Sequence, residues 1–212
     1  MVTYNLEEQE KIDGIKNWWD KFGNALAILL TAFLVTIAGM QAWNYYQQKQ
    51  AQQAADLYAL LQQVKTSGDA SRINDAAQLL TEGFPSSGYA PRASLIAAQA
   101  DVDAGNSKRA LQNLQWVIDH AKEPTMHDVA RLRMAGILLD EEKYDDALKT
   151  LNAQHGETFS GLYLDRKGDI LVAAKKFSEA RLSYQAAIEK LSKTNNYHNI
   201  VQMKLDALGD SE

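Results

Sequence analysis

The sequence contains no cysteine, which excludes disulfide bonds, thiolate metal sites and a cysteine nucleophile. Proline is scarce as well, with three residues in 212. Positive charge is not in excess, because the formal net charge is −5, whereas a nucleic-acid-binding surface needs a basic face. Alanine, leucine, glutamine, lysine and acidic residues dominate instead, and this composition favours helix throughout. We therefore predict an all-α protein that does not bind nucleic acid.

One long segment without charged residues, 22–48, stands out from the rest of the chain. A helix rises about 1.5 Å per residue, so about 20 apolar residues cross the hydrocarbon core of a bilayer. Aromatic residues flank the apolar run on both sides, as is typical of membrane interfaces: Trp18, Trp19, Trp43, Tyr45 and Tyr46. A buried core helix and a cleaved signal peptide are the alternatives, but a signal peptide has a shorter apolar region. The pattern predicts one retained transmembrane helix at residues 22–46.

Lysine residues near the ends of this span predict its orientation. Lys11, Lys16 and Lys21 precede it, whereas Lys49 is the one cation that follows closely. Because cytosolic flanks are enriched in Lys and Arg, we expect a cytosolic arm at residues 1–21 and a domain outside the cytosol at residues 47–212. Asn5 and Glu8 form a candidate capping box in the arm. The arm either lies with one face on the membrane or is the start of the spanning helix.

Alanines recur after the span at intervals of 34, 37 and 33 residues, at Ala76, Ala110, Ala147 and Ala180. This period is typical of the tetratricopeptide repeat, a helix–turn–helix unit of about 34 residues. Twelve positions before the last three alanines stand the small residues Ala98, Ala135 and Gly168; four positions after all four stand Leu80, Leu114, Leu151 and Tyr184. We predict a tetratricopeptide-like solenoid of helical hairpins. Helical hairpins without the solenoid twist are the alternative.

Two helix ends can be predicted in more detail. Ser71 is the candidate N-cap of a helix that ends at Glu82. A last helix, from Asn196 to Leu208, has Ile200, Met203 and Leu208 on one narrow stripe. We expect this helix to cap the final unit, as solenoids require, and to be followed by a polar tail.

No arrangement of residues typical of an active site or a metal site is present in the sequence. The four histidines, His120, His127, His155 and His198, are not spaced as metal ligands. The acidic turn around residues 140–146 does not have the alternating ligands and central glycine of a calcium loop. We therefore expect no catalytic residues, no cofactor and no metal.

Three stretches carry a resemblance to a known family: the aromatic exit of the span at residues 42–46, residues 89–95, and residues 202–208. With the order of arm, span and repeats, they resemble the YfgM family, the ancillary subunit of the SecYEG translocon. The resemblance implies a single-pass type II protein of the bacterial inner membrane with a periplasmic domain. It implies SecYEG and the chaperone PpiD as partners, transfer of secreted polypeptides to periplasmic chaperones, and contact of the arm with a stress-response regulator.

The register of the repeats also predicts a binding groove. The first helix of each unit lines the concave face of such a solenoid, which places Leu95, Gln99, Leu132, Asp165 and Asp169 there. We expect this surface to hold a partner or a client chain, with the three polar residues facing the groove and needing no buried partner. The alternative is that the leucines belong to the core between helices. A scaffold of another envelope complex, in division or pilus assembly, and an enzyme built on helices are the other function classes.

Overall fold

The structure is a computed structural model that describes residues 6–192 and 196–209. Within these ranges the secondary structure is helical, and the helices are α1 (Leu6–Lys65), α2 (Ala70–Gly83), α3 (Tyr89–Asp103), α4 (Ser107–His120), α5 (Pro124–Asp140), α6 (Tyr144–Leu151), α7 (Ser160–Ala173), α8 (Phe177–Lys190) and α9 (Asn196–Ala207), with a short 3-10 helix at Glu157–Phe159. The chain divides into two compact units, Met1–Gln52 and Gln53–Glu212. The predicted all-α fold is confirmed.

The first unit contains the greater part of α1. Its apolar side chains are exposed along residues 28–40, and of the described helices this is the one long and apolar enough to cross a membrane. The hydroxyl groups of Thr31 and Thr36 donate to the carbonyls of Ala27 and Ala32, each at 2.8 Å, so neither hydroxyl is left unpaired in an apolar surrounding. The predicted cap at Asn5 lies outside the described residues. The predicted boundaries at residues 21 and 46 both fall inside α1, and the position of the lipid boundary stays a prediction.

The second unit consists of helical hairpins stacked in chain order, with α3, α5 and α7 as first helices and α4, α6 and α8 as second helices. The register read from the alanines is confirmed, because Ala76 is 8% exposed and Ala110, Ala147 and Ala180 are fully buried. Ala98, Ala135 and Gly168 are buried on the first helices. The approach is closest at Gly168, where an added Cβ would lie 2.3 Å from Cε1 of Tyr184.

The turns inside the three hairpins share one backbone shape. Gly105, Glu142 and Lys175 have φ values of 76°, 59° and 60°, in the left-handed region. In each turn the next amide bonds back to the carbonyl five residues earlier, at 2.7 to 2.8 Å, which closes the first helix. Glycine takes this conformation at low cost, whereas Glu142 and Lys175 hold it because the hairpin on either side fixes the turn.

Two predictions, the N-cap of α2 and the buried side of α9, are wrong in detail. The N-cap of α2 is Asp69 and not Ser71, since the Asp69 carboxylate accepts hydrogen bonds from the amides of Ser71 and Arg72 at 2.9 and 3.2 Å. The predicted stripe of α9 is also shifted, because Ile200 and Met203 are 47% and 70% exposed. The buried side of α9 is formed by Tyr197, Val201, Leu205 and Leu208, which pack on α7 and α8. The tail beyond Gly209 lies outside the described residues.

Candidate functional site

A groove runs along α3 and α5 and consists of two adjoining cavities of about 270 and about 390 Å³. Gln99 and Arg133 line both cavities and mark the place where they meet. The smaller cavity is bounded by Ala98, Val102, Leu114, Leu132, Gly136, Ile137, Asp140 and Arg166. The larger one is bounded by Tyr58, Lys65, Gly68, Ile73, Arg92, Leu95, Ile96, Ala100, Asp103 and Met126. The exposed surface of both walls is mainly apolar, although six of the lining residues are charged.

Three of the predicted groove residues lie in this groove, in different roles. Gln99 is exposed, and its Nε2 donates to Oδ1 of Asp103 at 2.9 Å. Leu95 is 8% exposed and belongs to the core between α3, α4 and α5, while Leu132 is half-buried and packs on the cluster around α6 and α7. The leucines thus contribute their edges to the groove and most of their surface to the core. Whether the groove binds a partner stays a prediction.

Asp165 and Asp169 line neither of these two cavities, and the expectation that they need no buried partner is wrong. Asp165 is 1% exposed and accepts hydrogen bonds from the Tyr197 hydroxyl at 2.5 Å and from Nζ of Lys204 at 2.8 and 3.0 Å. Asp169 accepts from the Tyr184 hydroxyl at 2.9 Å and from the same Nζ at 2.7 Å. The two carboxylates therefore hold α9 on α7. In the last unit α9 covers the positions that line the groove in the earlier units.

The two tyrosines of this cluster act as hydrogen-bond donors over the whole physiological pH range. Burial raises the pKa of both phenols, Tyr184 and Tyr197, and the neighbouring carboxylates raise the pKa further. Because a charged phenolate beside Asp165 or Asp169 is unfavourable, the protons stay on the tyrosine oxygens. The cluster is thus a structural fastening of α9.

A second buried polar cluster, which periodicity does not reveal, joins α2, α3 and α4. Asp101 is fully buried and accepts hydrogen bonds from Nδ2 of Asn74 at 2.8 Å and Nδ2 of Asn113 at 2.9 Å. Nδ2 of Asn113 also donates to Oδ1 of Asn74 at 3.0 Å, and Nε of Arg109 lies 4.0 Å from Asp101 Oδ1. Burial raises the pKa of Asp101, although the bonds from the two amides and the charge of Arg109 oppose that shift. Every polar partner here belongs to the fold, so the cluster fixes the packing of three helices.

Two of the histidines, His127 and His155, contact other parts of the fold. Nε2 of His127 lies 2.7 Å from the carbonyl oxygen of Ala121, and the ring of His155 packs on Tyr163 with centroids 4.2 Å apart. The Tyr163 hydroxyl donates a hydrogen bond to Asp128. Burial, and after it the charge of Asp128, raises the pKa of Tyr163 to about 12. No group of three His, Asp or Glu residues that could hold a metal occurs within the residues that the structure describes.

Arg133 lines both cavities of the groove and is not among the residues predicted from the sequence. The repeat register contains a signal for it, because Ile96, Arg133 and Arg166 stand at equivalent positions, two before the small residues Ala98, Ala135 and Gly168. Arginine therefore recurs at this repeat position in two successive units, on the first helices α5 and α7. The predicted groove consisted of apolar, amide and acidic residues and did not include this position.

Comparison with known proteins agrees with this architecture. Residues 16–210 match the family model of a tetratricopeptide repeat-like domain. The protein named "Ancillary SecYEG translocon subunit" from Neisseria gonorrhoeae is 32% identical over 211 residues, which cover 98% of this chain and 100% of the relative. Proteins of the same name from Haemophilus influenzae and Escherichia coli are each 26% identical, over 98% and 95% of this chain and 100% and 96% of their own lengths. The resemblance predicted from the sequence is confirmed, and the chain belongs to the tetratricopeptide repeat-like family of ancillary SecYEG translocon subunits.

Proposed function

We propose that this protein is a non-enzymatic, membrane-anchored subunit associated with the SecYEG translocon. The observation that carries the proposal is the similarity over the whole chain to relatives that are named ancillary SecYEG translocon subunits. The repeat-like domain, a fold used for binding other proteins, supports an interaction role. The apolar part of α1 supports an anchor in the inner membrane.

The finer proposal concerns orientation and partners. The lysine bias before the span supports a cytosolic N-terminus and a periplasmic repeat domain, in a single-pass type II arrangement. In that arrangement the groove along α3 and α5 lies in the compartment into which secreted polypeptides emerge. There it binds the partner chaperone, PpiD by resemblance, or client chains, and helps to pass clients to periplasmic chaperones. The short arm before the span contacts a cytosolic stress-response regulator.

Co-purification of the full chain from bacterial membranes in mild detergent tests the association with the translocon. We expect SecY, SecE or SecG among the proteins that remain bound, together with PpiD. Subunits of a division or pilus complex in their place would overturn the proposal. So would a protein that purifies without any translocon subunit.

The role of the groove is tested separately by photo-crosslinking in intact membranes. A photo-reactive amino acid at Gln99 should capture a partner or client, because this exposed side chain lies where the two cavities meet. Gln115 is a matched control: it is also exposed, and its Nε2 donates to Asp119 at 2.8 Å much as Gln99 does to Asp103. Equal capture from both positions would refute the proposal that the groove binds a partner or client.

A further inference from the structure

Arg133 stands apart from its neighbouring arginines because its charge has no counterion among the residues that the structure describes. Arg92 lies 3.1 Å from a Glu123 carboxylate oxygen, and Arg166 lies 3.7 Å from one of Asp169. Nη1 of Arg133 donates to the carbonyl of Leu95 at 3.2 Å, and no carboxylate of the described residues lies within ion-pair distance of its guanidinium. Since a guanidinium has five N–H donors, most of the donors of Arg133 remain available at the groove.

The guanidinium of Arg133 favours a negatively charged ligand. The cations that line the two cavities are Lys65, Arg92, Arg133 and Arg166, and the carboxylates are Asp103 and Asp140. Arg92 and Arg166 are already paired with Glu123 and Asp169. Arg133 is exposed, so a ligand can reach it; the partial burial of its side chain lowers its pKa, but an arginine stays protonated at any physiological pH. A carboxylate from a ligand can pair with this guanidinium through two parallel hydrogen bonds.

The shape of the groove restricts where that carboxylate belongs in a ligand. A mainly apolar cavity lies on each side of Arg133, one around Val102 and Ile137 and one around Ile96 and Met126. In an extended peptide, every second side chain points to the same face. When the carboxylate of an acidic residue pairs with Arg133, the side chains two residues before and two residues after that acidic residue therefore enter the two cavities. A chain that ended in the carboxylate would fill one cavity and leave the other empty.

We propose that the groove binds an extended polypeptide segment in which an internal Asp or Glu is flanked, two residues away on each side, by apolar side chains, with Arg133 as the residue that pairs with the carboxylate. This inference rests on the proposed function and names the kind of segment that the groove selects. Gln99, beside the same junction, supplies an amide that can bond to the backbone of such a segment. Selectivity comes from the charge pair, because apolar cavities alone discriminate weakly between side chains.

The test uses the full chain in lipid nanodiscs and isothermal titration calorimetry with the probe peptide acetyl-Ser-Leu-Thr-Glu-Thr-Leu-Ser-amide, whose blocked ends leave the glutamate as its one carboxylate. We expect Arg133→Gln to weaken binding roughly ten- to hundredfold, the range for a charge-assisted hydrogen bond. A probe with Gln in place of Glu should bind weakly to both forms, with little difference between them. Arg72→Gln is the matched control, because Arg72 is exposed on α2 and does not line either cavity.

Charge reversal provides the second variant. Arg133→Glu should lose the Glu probe and gain affinity for a probe with Lys in its place, which a variant that had merely unfolded would not do. The inference is overturned if the Glu and Gln probes bind wild-type protein equally, if Arg72→Gln weakens the Glu probe as much as Arg133→Gln does, or if a peptide with a free terminal carboxylate in place of the internal glutamate binds better. These outcomes leave co-purification with translocon subunits unchanged, so failure of the inference is distinguishable from failure of the proposed function.

Discussion

Gly168 offers the sharpest test of the packing between paired helices. In Gly168→Ala the new Cβ would lie 2.3 Å from Cε1 and 2.5 Å from Cδ1 of Tyr184, so the ring has to move. The same ring positions the hydroxyl that donates to Asp169 at 2.9 Å. Moving it therefore disturbs both the packing of α7 on α8 and one hydrogen bond of the cluster that holds α9.

The magnitudes decide the sign of the effect. Alanine in place of glycine inside a helix stabilises by about 1 kcal/mol. Overpacking costs about 1–3 kcal/mol, and loss of a hydrogen bond to a charged group costs about 1.5–3 kcal/mol. The net expectation is a loss of about 1.5–5 kcal/mol, which for a unit of this size lowers Tm by at least about 3 °C. Thermal unfolding of Gln53–Glu212 followed by circular dichroism measures it.

Gly136 supplies the matched control within the same unit. A Cβ at Gly136 would meet Arg166 at 3.9 Å, an ordinary van der Waals distance. Gly136→Ala should therefore show the helix-propensity gain alone and raise Tm by about 2–4 °C. Gly168→Ala should change sign and become stabilising in a Tyr184→Ala background, where the ring is absent. A rise in Tm for Gly168→Ala in the wild-type background, equal to that of Gly136→Ala, would refute the close approach of the two helices.

Four other outcomes are expected. Ala135→Leu should overpack the fully buried contact between α5 and α6 and cost about 1–3 kcal/mol in urea unfolding; an unchanged midpoint would contradict the repeat register. Lys204→Met should cost about 3 kcal/mol in the same assay, because it leaves the buried Asp165 carboxylate without its cation, and Asp165→Ala should cost less, because the Lys204 ammonium is partly exposed and keeps Asp169; the opposite order would count against this reasoning. For Asp101, the raised pKa means that the native state holds the proton more tightly than the unfolded chain; the stability of wild type relative to Asp101→Asn should be greater near pH 4 than at pH 7, and the opposite slope in urea titrations would count against it. A reporter enzyme that is active only in the cytosol, fused to the C-terminus, should be inactive, and an active fusion would reverse the proposed orientation.

The features that sequence alone predicted well are those set by short-range periodicity. The small residues of the first helices and the alanines of the second helices recur at one period, and close helix packing requires small side chains at those places. The apolar segment is equally direct, because its length and lack of charge have few structural explanations. Physical requirements of this kind act within one unit of the repeat, so they are visible in a single sequence.

Contacts between distant residues were the part that sequence did not predict. Asp165 lies 39 residues before Lys204, and nothing in the local pattern of α7 distinguishes a solvated carboxylate from a paired one. The register of α9 was misjudged for the same reason, since its buried side includes Tyr197 and Lys204, whose polar ends are paired with α7. At Asp69 and Ser71 two good capping residues stand two positions apart, and the backbone decides between them.

The fastening of α9 restricts how this solenoid can be shortened or extended by whole hairpins. The two carboxylates that bind Lys204 occur in one unit, because the positions of Asp165 and Asp169 on α7 correspond to Leu132 and Gly136 on α5. Removal of α7 and α8 together would bring the ammonium of Lys204 against a leucine, and the shortened array would have no fitting end. Insertion or removal of an inner hairpin leaves these two carboxylates in place. The last hairpin, α7 and α8, and the capping helix α9 therefore have to be kept together as one module, and hairpins can be added or removed before it in the chain.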